Sequence, residues 1–144
     1  MSPEIQFKIV NTASLPFWAL MIFAPRWWLT RRVMESYFAP GLFAAIYVAF
    51  IIPALPNVLA MLASPPNLEN VVSEIAKPQA FVVAWIHYLA FDLFVGRWEY
   101  LDSRERGVSV WLVGPCLFMT LMTGPLGFLA YLAIRGTTIF NRKS

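Results

Sequence analysis

Apolar residues run along this chain in four long blocks, at about 5–28, 38–63, 79–101 and 108–135, separated by short polar stretches. A helix needs about 20 apolar residues to cross some 30 Å of hydrocarbon, and each block is that long. The first is the most broken: Asn11, Thr12 and Ser14 interrupt its start, and Pro16 and Pro25 bend or bound it. Trp27 and Trp28, followed by Arg31 and Arg32, read as an interfacial anchor. The second block carries no charge, and Pro53 and Pro56 interrupt it ahead of Asn57. Pro78 opens the third at a first-turn position, where its missing N–H costs nothing. Gly114-Pro115 and Gly124-Pro125-Leu126-Gly127 lie within the fourth, where small residues permit close helix approach. Between the second and third, Ser64-Pro65-Pro66-Asn67 makes a turn. Glu69, Glu74 and Lys77 around Val71, Val72 and Ile75 then predict a short amphipathic helix at the interface, about 68–77. The expected fold is all-α: one domain over 1–144, an integral membrane bundle of four transmembrane helices.

Composition agrees with a lipid environment, since 59% of residues are hydrophobic and only 13% charged, against about 25% charged in soluble domains. The formal charge of +3 is small and the basic residues sit beside the apolar blocks, so a nucleic-acid partner is not expected. Cys116 is the sole cysteine, lies among apolar residues and reads as packing. Met1 to Lys8 lacks the Arg/Ser-rich amphipathic character of an organellar transit peptide. Orientation is less decided. Four spans place Arg26, Arg31, Arg32, Arg97, Arg104 and Arg106 by the first and third loops, and Lys8, Lys77, Arg135, Arg142 and Lys143 by the tails and second loop. That near-even split only slightly favours cytosolic first and third loops.

Candidate chemistry concentrates in the third block. An ionisable side chain inside a spanning helix costs a few kcal/mol unless it meets a partner or water, so His87 and Asp92 are expected to face the bundle interior. Five residues separate them, roughly 140° around a helix, so each needs a partner from elsewhere. Asn11, Thr12, Asn57, Thr120 and Thr123 are the polar residues on offer. Asp92, Gly96 and Glu99 share one stripe, with Tyr88 a turn before and Asp102 about a turn beyond, and Arg97, Arg104 and Arg106 are placed to neutralise it. Two readings follow. One is acid–base work on an apolar substrate, because a carboxyl in a dry site holds a proton it can give up and a neutral imidazole can accept one. The other is a set of satisfied interior polar groups above an interfacial salt-bridge network. The His, Asp and Glu residues are spread over several turns with no second histidine, so no metal site is expected. Serine-nucleophile elbows and phosphate-binding glycine loops are absent, and no cofactor is assigned. The tryptophans at 18, 27, 28, 85, 98 and 111 suit a flat conjugated or isoprenoid ligand, and equally an interfacial aromatic belt.

Several stretches carry a family likeness: Asn11-Thr12, Leu15-Pro16-Phe17-Trp18, Ala24-Pro25-Arg26 and Thr30-Arg31-Arg32 early on; His87 through Trp98 in the centre; then Leu101-Asp102-Ser103, Arg106-Gly107, Pro115-Cys116-Leu117 and Gly124-Pro125-Leu126-Gly127. Together they resemble the abscisic-acid-deficient-four-like family, over nearly the whole chain. The resemblance implies an integral membrane protein of carotenoid (xanthophyll) metabolism, of the type required for neoxanthin formation in plants. Without a transit peptide the chain looks like a bacterial, cyanobacterial-type member of a thylakoid or plasma membrane. If the chemistry is of the plant type, an epoxy-carotenoid is isomerised to an allenic alcohol, with Asp92 and His87 as the acid–base pair. Arg97, Trp98, Glu99, Asp102, Asn11 and Asn57 then bind substrate or tune the site. The rival expectation is a non-catalytic carotenoid-binding or scaffold protein of a photosynthetic membrane. Expected partners are a carotenoid or other isoprenoid, the lipid bilayer, and a second copy or other carotenoid enzymes.

Overall fold

The computed structural model describes residues 1–63, 65 and 67–141, with side chains described through 137. Those residues form eight α-helices and one 3-10 turn, with no strand among them. Helix α1 spans Pro3–Phe23, with a proline in its first turn. The Thr30 hydroxyl of α2 (Trp28–Glu35) donates to the Ala24 carbonyl at 2.8 Å and so ties off the end of α1. This helix is absent from the sequence expectation, which placed only an interfacial anchor there. Its eight residues bury Thr30 and Met34 and expose Arg31 and Arg32, an amphipathic pattern too short to stand out beside a long apolar block.

The second block is nearly continuous. Helix α3 (Phe38–Ile51) passes through a 3-10 turn at Ile52–Ala54 into α4 (Leu55–Leu62), the change of winding falling at Pro53. Helix α5 (Leu68–Ile75) is the expected amphipathic segment, and the Asn67 side chain caps it by accepting from the Glu69 N–H at 2.9 Å. Helix α6 (Pro78–Arg106) outruns its apolar block by more than a turn and stops at Gly107. Gly107 takes the left-handed conformation at φ 67°, and the Val108 N–H reaches back to the Ser103 carbonyl at 2.9 Å.

The fourth block departs from expectation. Instead of one span, it forms α7 (Val110–Thr123) and α8 (Pro125–Asn141), folded back on each other at Gly124. Gly124 adopts φ 55° and ψ −93°, a backbone state that a side chain resists, and Pro125 cannot continue the preceding helix. The two helices then pack so closely that a Cβ on Gly127 would lie 2.1 Å from the Thr120 backbone nitrogen.

Side-chain contacts set the directions. Phe7 meets Phe81 and Trp85, Trp18 lies on Gly96, and Tyr100 bonds the Pro25 carbonyl, so α1 runs parallel to α6. Arg97 meets Ser36 and Tyr47 meets His87, so α3 runs antiparallel to it. Thr120 meets Glu99 and Gly124 meets Asp92, which makes α7 antiparallel. Phe128 then meets Trp98 and Arg135 meets Asp102, so α8 turns parallel again. The α7–α8 turn therefore sits beside the middle of α6. Trp18, Met21, Phe43, Ile86, Leu93, Tyr100, Leu117 and Tyr131 fill the core where these helices meet.

Only two continuous helical stretches, Phe38–Leu62 and Pro78–Arg106, are both long and apolar enough to cross a membrane among the described residues. Most residues of the first are exposed, and its contact with the core runs through Phe43, Ile46, Tyr47 and Phe50. Large apolar side chains also face outward on α7 and α8, including Trp111, Phe118, Met122, Leu126 and Leu129.

Candidate functional site

Helix α6 supplies most of the candidate groups, and its 100° step distributes them to three different neighbours. On the face toward α1 and α7 lie Gly96 and Glu99. The Trp18 ring lies so close to Gly96 that a Cβ there would be 2.6 Å from its Cη2 atom, and this glycine exists for that approach. Glu99 is fully buried, as is its partner Thr120 on α7. The Thr120 hydroxyl lies 3.0 and 3.1 Å from the two Glu99 oxygens and 3.0 Å from the Cys116 carbonyl oxygen. A hydroxyl has one hydrogen, so it cannot donate to all three. When it donates to Cys116, its lone pair is left to receive a proton-bearing Glu99. The pair thus ties α6 to α7 through a single buried side-chain hydrogen bond.

Two turns toward the N-terminal end of α6, Asp92 is half-buried against the α7–α8 turn. A Cβ on Gly124 would lie 2.9 Å from its Oδ1 atom, so a side chain at 124 would displace the carboxyl. Asp92 thus has one side against the turn and one side accessible.

A third cluster occupies the C-terminal end of α6. Asp102 accepts from Arg106 Nε at 2.9 Å, from Arg135 Nε at 2.9 Å and from the Tyr131 hydroxyl at 2.6 Å. The Arg135 guanidinium also stands 5.7 Å from the Trp98 ring centre. This hub joins α6 to α8 with charge-assisted bonds and fixes the return leg of the hairpin. Tyr131 and Arg135 were not among the sequence candidates. The signal available was a lone arginine closing an apolar block, which a four-span reading assigns to a tail.

The sequence stripe Asp92–Gly96–Glu99 exists as read, and Arg106 does neutralise Asp102. Other expectations need correcting. His87 does not face the interior: it is exposed, with its ring 5.5 Å from Tyr47 and 4.8 Å from Phe91. The reason is the angular position already noted, since burying Asp92 and Glu99 toward α7 turns residue 87 outward. Arg97 does not reach the carboxylates either. It is buried on the α3 side, where Nε donates to the Ser36 carbonyl and Nη2 to the Glu35 carbonyl, both at 3.1 Å, and it stacks 4.1 Å over the Tyr37 ring. Arg97 thus caps the C-terminal end of α2. Arg104 turns to the Pro25 carbonyl at 3.3 Å. Asn11 accepts from Trp85 Nε1 at 3.3 Å, and Asn57 is exposed on α4, so neither joins the carboxyl stripe.

A cleft of about 320 Å³ opens at the C-terminal end of α6, between α1, α6 and the start of α7. Met21, Val113 and Leu117 make its apolar wall, and Tyr100, Ser103 and Arg104 its polar one. Neither Glu99 nor Thr120 lines this cleft, so it stands apart from the buried carboxyl. Among the described residues no three His, Cys, Asp or Glu side chains converge as metal ligands.

Comparison with known proteins covers the same helices. The family model described as ABA DEFICIENT 4-like matches residues 5–131, which include α1 through the Tyr131 contact on α8. Protein ABA DEFICIENT 4, chloroplastic, of Arabidopsis thaliana is 32% identical over 108 residues, covering 72% of this chain and 49% of that protein. The chain thus spans about half the length of the curated relative it matches. No solved structure matches it.

Proposed function

Because this chain belongs to the ABA DEFICIENT 4-like family, we propose that it is an integral membrane protein of carotenoid metabolism whose third long helix carries the site. Its apolar exterior supports the membrane reading, since a soluble protein rarely leaves contiguous apolar surface of this extent uncovered. The family resemblance supports the carotenoid link. The bilayer is that of a thylakoid or another pigment-bearing membrane.

The reaction proposed is isomerisation of an epoxy-carotenoid end ring. One C–O bond of the epoxide breaks, a proton leaves the neighbouring polyene carbon, its electron pair becomes a new C=C bond, and the oxygen gains a proton. No oxidant or reductant is required. A single carboxyl can serve both ends, giving a proton from one oxygen while the other accepts one, and it finishes unchanged. Asp92 suits that role because its carboxyl is accessible from outside while one side is held by the Gly124 turn. Glu99 is enclosed, and with Thr120 it positions the hairpin that holds Asp92. His87 and Asp92 point away from each other, so His87 meets a ligand on the outer face beside Tyr47 and Phe91 rather than sharing the epoxide. That exposed aromatic group is also what favours a second reading, a carotenoid-binding protein without chemistry.

The carrying observation is the half-buried carboxyl of Asp92, held against the Gly124 turn in the apolar middle of α6. Expression in an epoxy-carotenoid-producing host, followed by chromatography of bound and total pigments, tests it. The wild type is expected to convert pigment, Asp92→Asn to bind without converting, and His87→Ala to bind less while retaining turnover of what is bound. Conversion by folded Asp92→Asn at the wild-type rate would refute the assignment. Pigment bound but unconverted by the wild type would establish the binding reading.

A further inference from the structure

We infer that α7 and α8 form a re-entrant hairpin, which enters the membrane from the α6 C-terminal side, turns at Gly124-Pro125 beside Asp92, and leaves on the side it entered. This rests on the membrane reading above and goes beyond it. Membrane crossing then falls to three units: α3–α4 and α6, which are long and apolar enough to cross by themselves, and α1, which is less apolar but tracks α6 in parallel from Phe81 to Tyr100. The start of α1 and the end of α8 then lie on opposite sides.

Three independent observations carry the inference. The first is direction. Contacts along α6 at Asp92, Trp98 and Asp102 are met in the same order by Gly124 of the turn and by Phe128 and Arg135 of α8, while α7 runs the other way through Thr120 and Glu99. Both legs therefore flank the same half of α6, and neither passes its N-terminal half. The second is length. Helix α7 has 14 residues, about 21 Å at 1.5 Å per residue. The part of α8 ahead of Arg135 is shorter still. A crossing needs about 30 Å, so each leg reaches the middle and stops. Backbone at that depth must be satisfied by protein. Gly124 and Gly127 are buried, the one against Asp92 and the other against Thr120, and the Gly124 N–H donates to the Thr120 carbonyl while its own carbonyl accepts from the Phe128 N–H, although Thr123, Pro125 and Leu126 beside them are exposed.

The third observation is charge. Four spans divide the basic residues almost evenly, which leaves orientation undecided. With the hairpin, Arg26, Arg31, Arg32, Arg97, Arg104, Arg106 and Arg135 all come to one side. Among the described residues, Lys8 and Lys77 are the basic residues of the other. Membrane proteins concentrate Lys and Arg on the cytoplasmic side, so a topology that gathers the charges is the one the sequence is organised for. The arginine-rich side is then cytoplasmic, or stromal in a plastid-type membrane. The cleft bearing Arg104 opens there, while Asp92 lies at mid-depth, where the turn walls it off from that face.

Cysteine labelling decides the matter. In a Cys116→Ala background, single cysteines at Ser2→Cys, Ser73→Cys, Ser109→Cys, Thr137→Cys and Leu126→Cys are expressed in a bacterial inner membrane. Each is treated with a membrane-impermeant maleimide on intact spheroplasts and on inverted vesicles. Ser2→Cys and Ser73→Cys are expected to label on spheroplasts, Ser109→Cys and Thr137→Cys only on inverted vesicles, and Leu126→Cys on neither until detergent is added. Labelling of Thr137→Cys from the same side as Ser2→Cys would establish a full fourth crossing and overturn the hairpin. Gly136→Cys gives the same reading should Thr137→Cys fail to accumulate. Release of the wild type by alkaline carbonate would instead remove the membrane reading itself, a failure distinct from any labelling pattern.

Discussion

Replacing Gly127 by alanine inserts one methyl group where the two legs of the hairpin touch. That carbon would stand 2.1 Å from the Thr120 nitrogen, 2.2 Å from its Oγ1 and 2.5 Å from its Cα. Carbon contacts settle at about 3.5–4.0 Å, so α8 must move away by more than about 1 Å. Two of the three atoms are backbone, so a rotamer change cannot relieve the clash. The shift draws Thr120 away from Glu99, whose oxygens it meets at 3.0 and 3.1 Å, and strands a fully buried carboxyl. Overpacking of this kind costs about 1–3 kcal/mol, and an unsatisfied buried polar group about the same again. Alanine's better helix propensity returns about 1 kcal/mol, leaving a net loss on the order of 3 kcal/mol. Gly136, on the same helix, has nothing within 4 Å of a built Cβ. Gly136→Ala is therefore the internal control and is expected to be neutral or to gain up to about 1 kcal/mol. Unfolding of both variants in mild detergent, followed by tryptophan fluorescence against added denaturing detergent, reads the difference. Equal midpoints for the two would refute the close-packed hairpin.

Three further variants test the polar anchors. Asp102→Asn removes the negative charge and one of the two acceptor oxygens shared by Arg106, Arg135 and Tyr131, so the melting midpoint in detergent should fall by several degrees and protease should cut α8 first. Tyr131→Phe should produce a smaller drop with the same cleavage pattern. Arg97→Lys keeps the charge but cannot bond the Glu35 and Ser36 carbonyls as a fork or stack flat on Tyr37. A loss on the order of 2 kcal/mol is expected, together with faster hydrogen exchange in α2. Unchanged exchange there would mean that Arg97 does not hold that helix.

Much of the local structure was legible in the order of residues alone. The apolar blocks marked where helices run, Asn67 and Pro78 marked two of their starts, and the 3.6-residue period placed Asp92, Gly96 and Glu99 on one stripe before any neighbour was known. These are short-range facts, decided by backbone sterics and by which face of a helix can be buried. The pairing of that stripe was not legible, because several polar residues were equally available and distance along the chain does not rank them. Thr120 meets Glu99 only because α7 folds back at a particular depth, and Arg135 meets Asp102 only because α8 returns.

The fold of the fourth block was undetermined for a sharper reason. A run of apolar residues with Gly-Pro in it satisfies hydropathy equally well as one kinked span or as two legs of a hairpin, since both hide the same side chains from water. What separates them is the sign of one dihedral at Gly124 and the room that Gly127 leaves at Thr120. The sequence by itself thus determined the helices and the face on which the carboxyls lie. Tertiary packing decided the reversal, and with it which residues surround Asp92 and on which side the arginines gather.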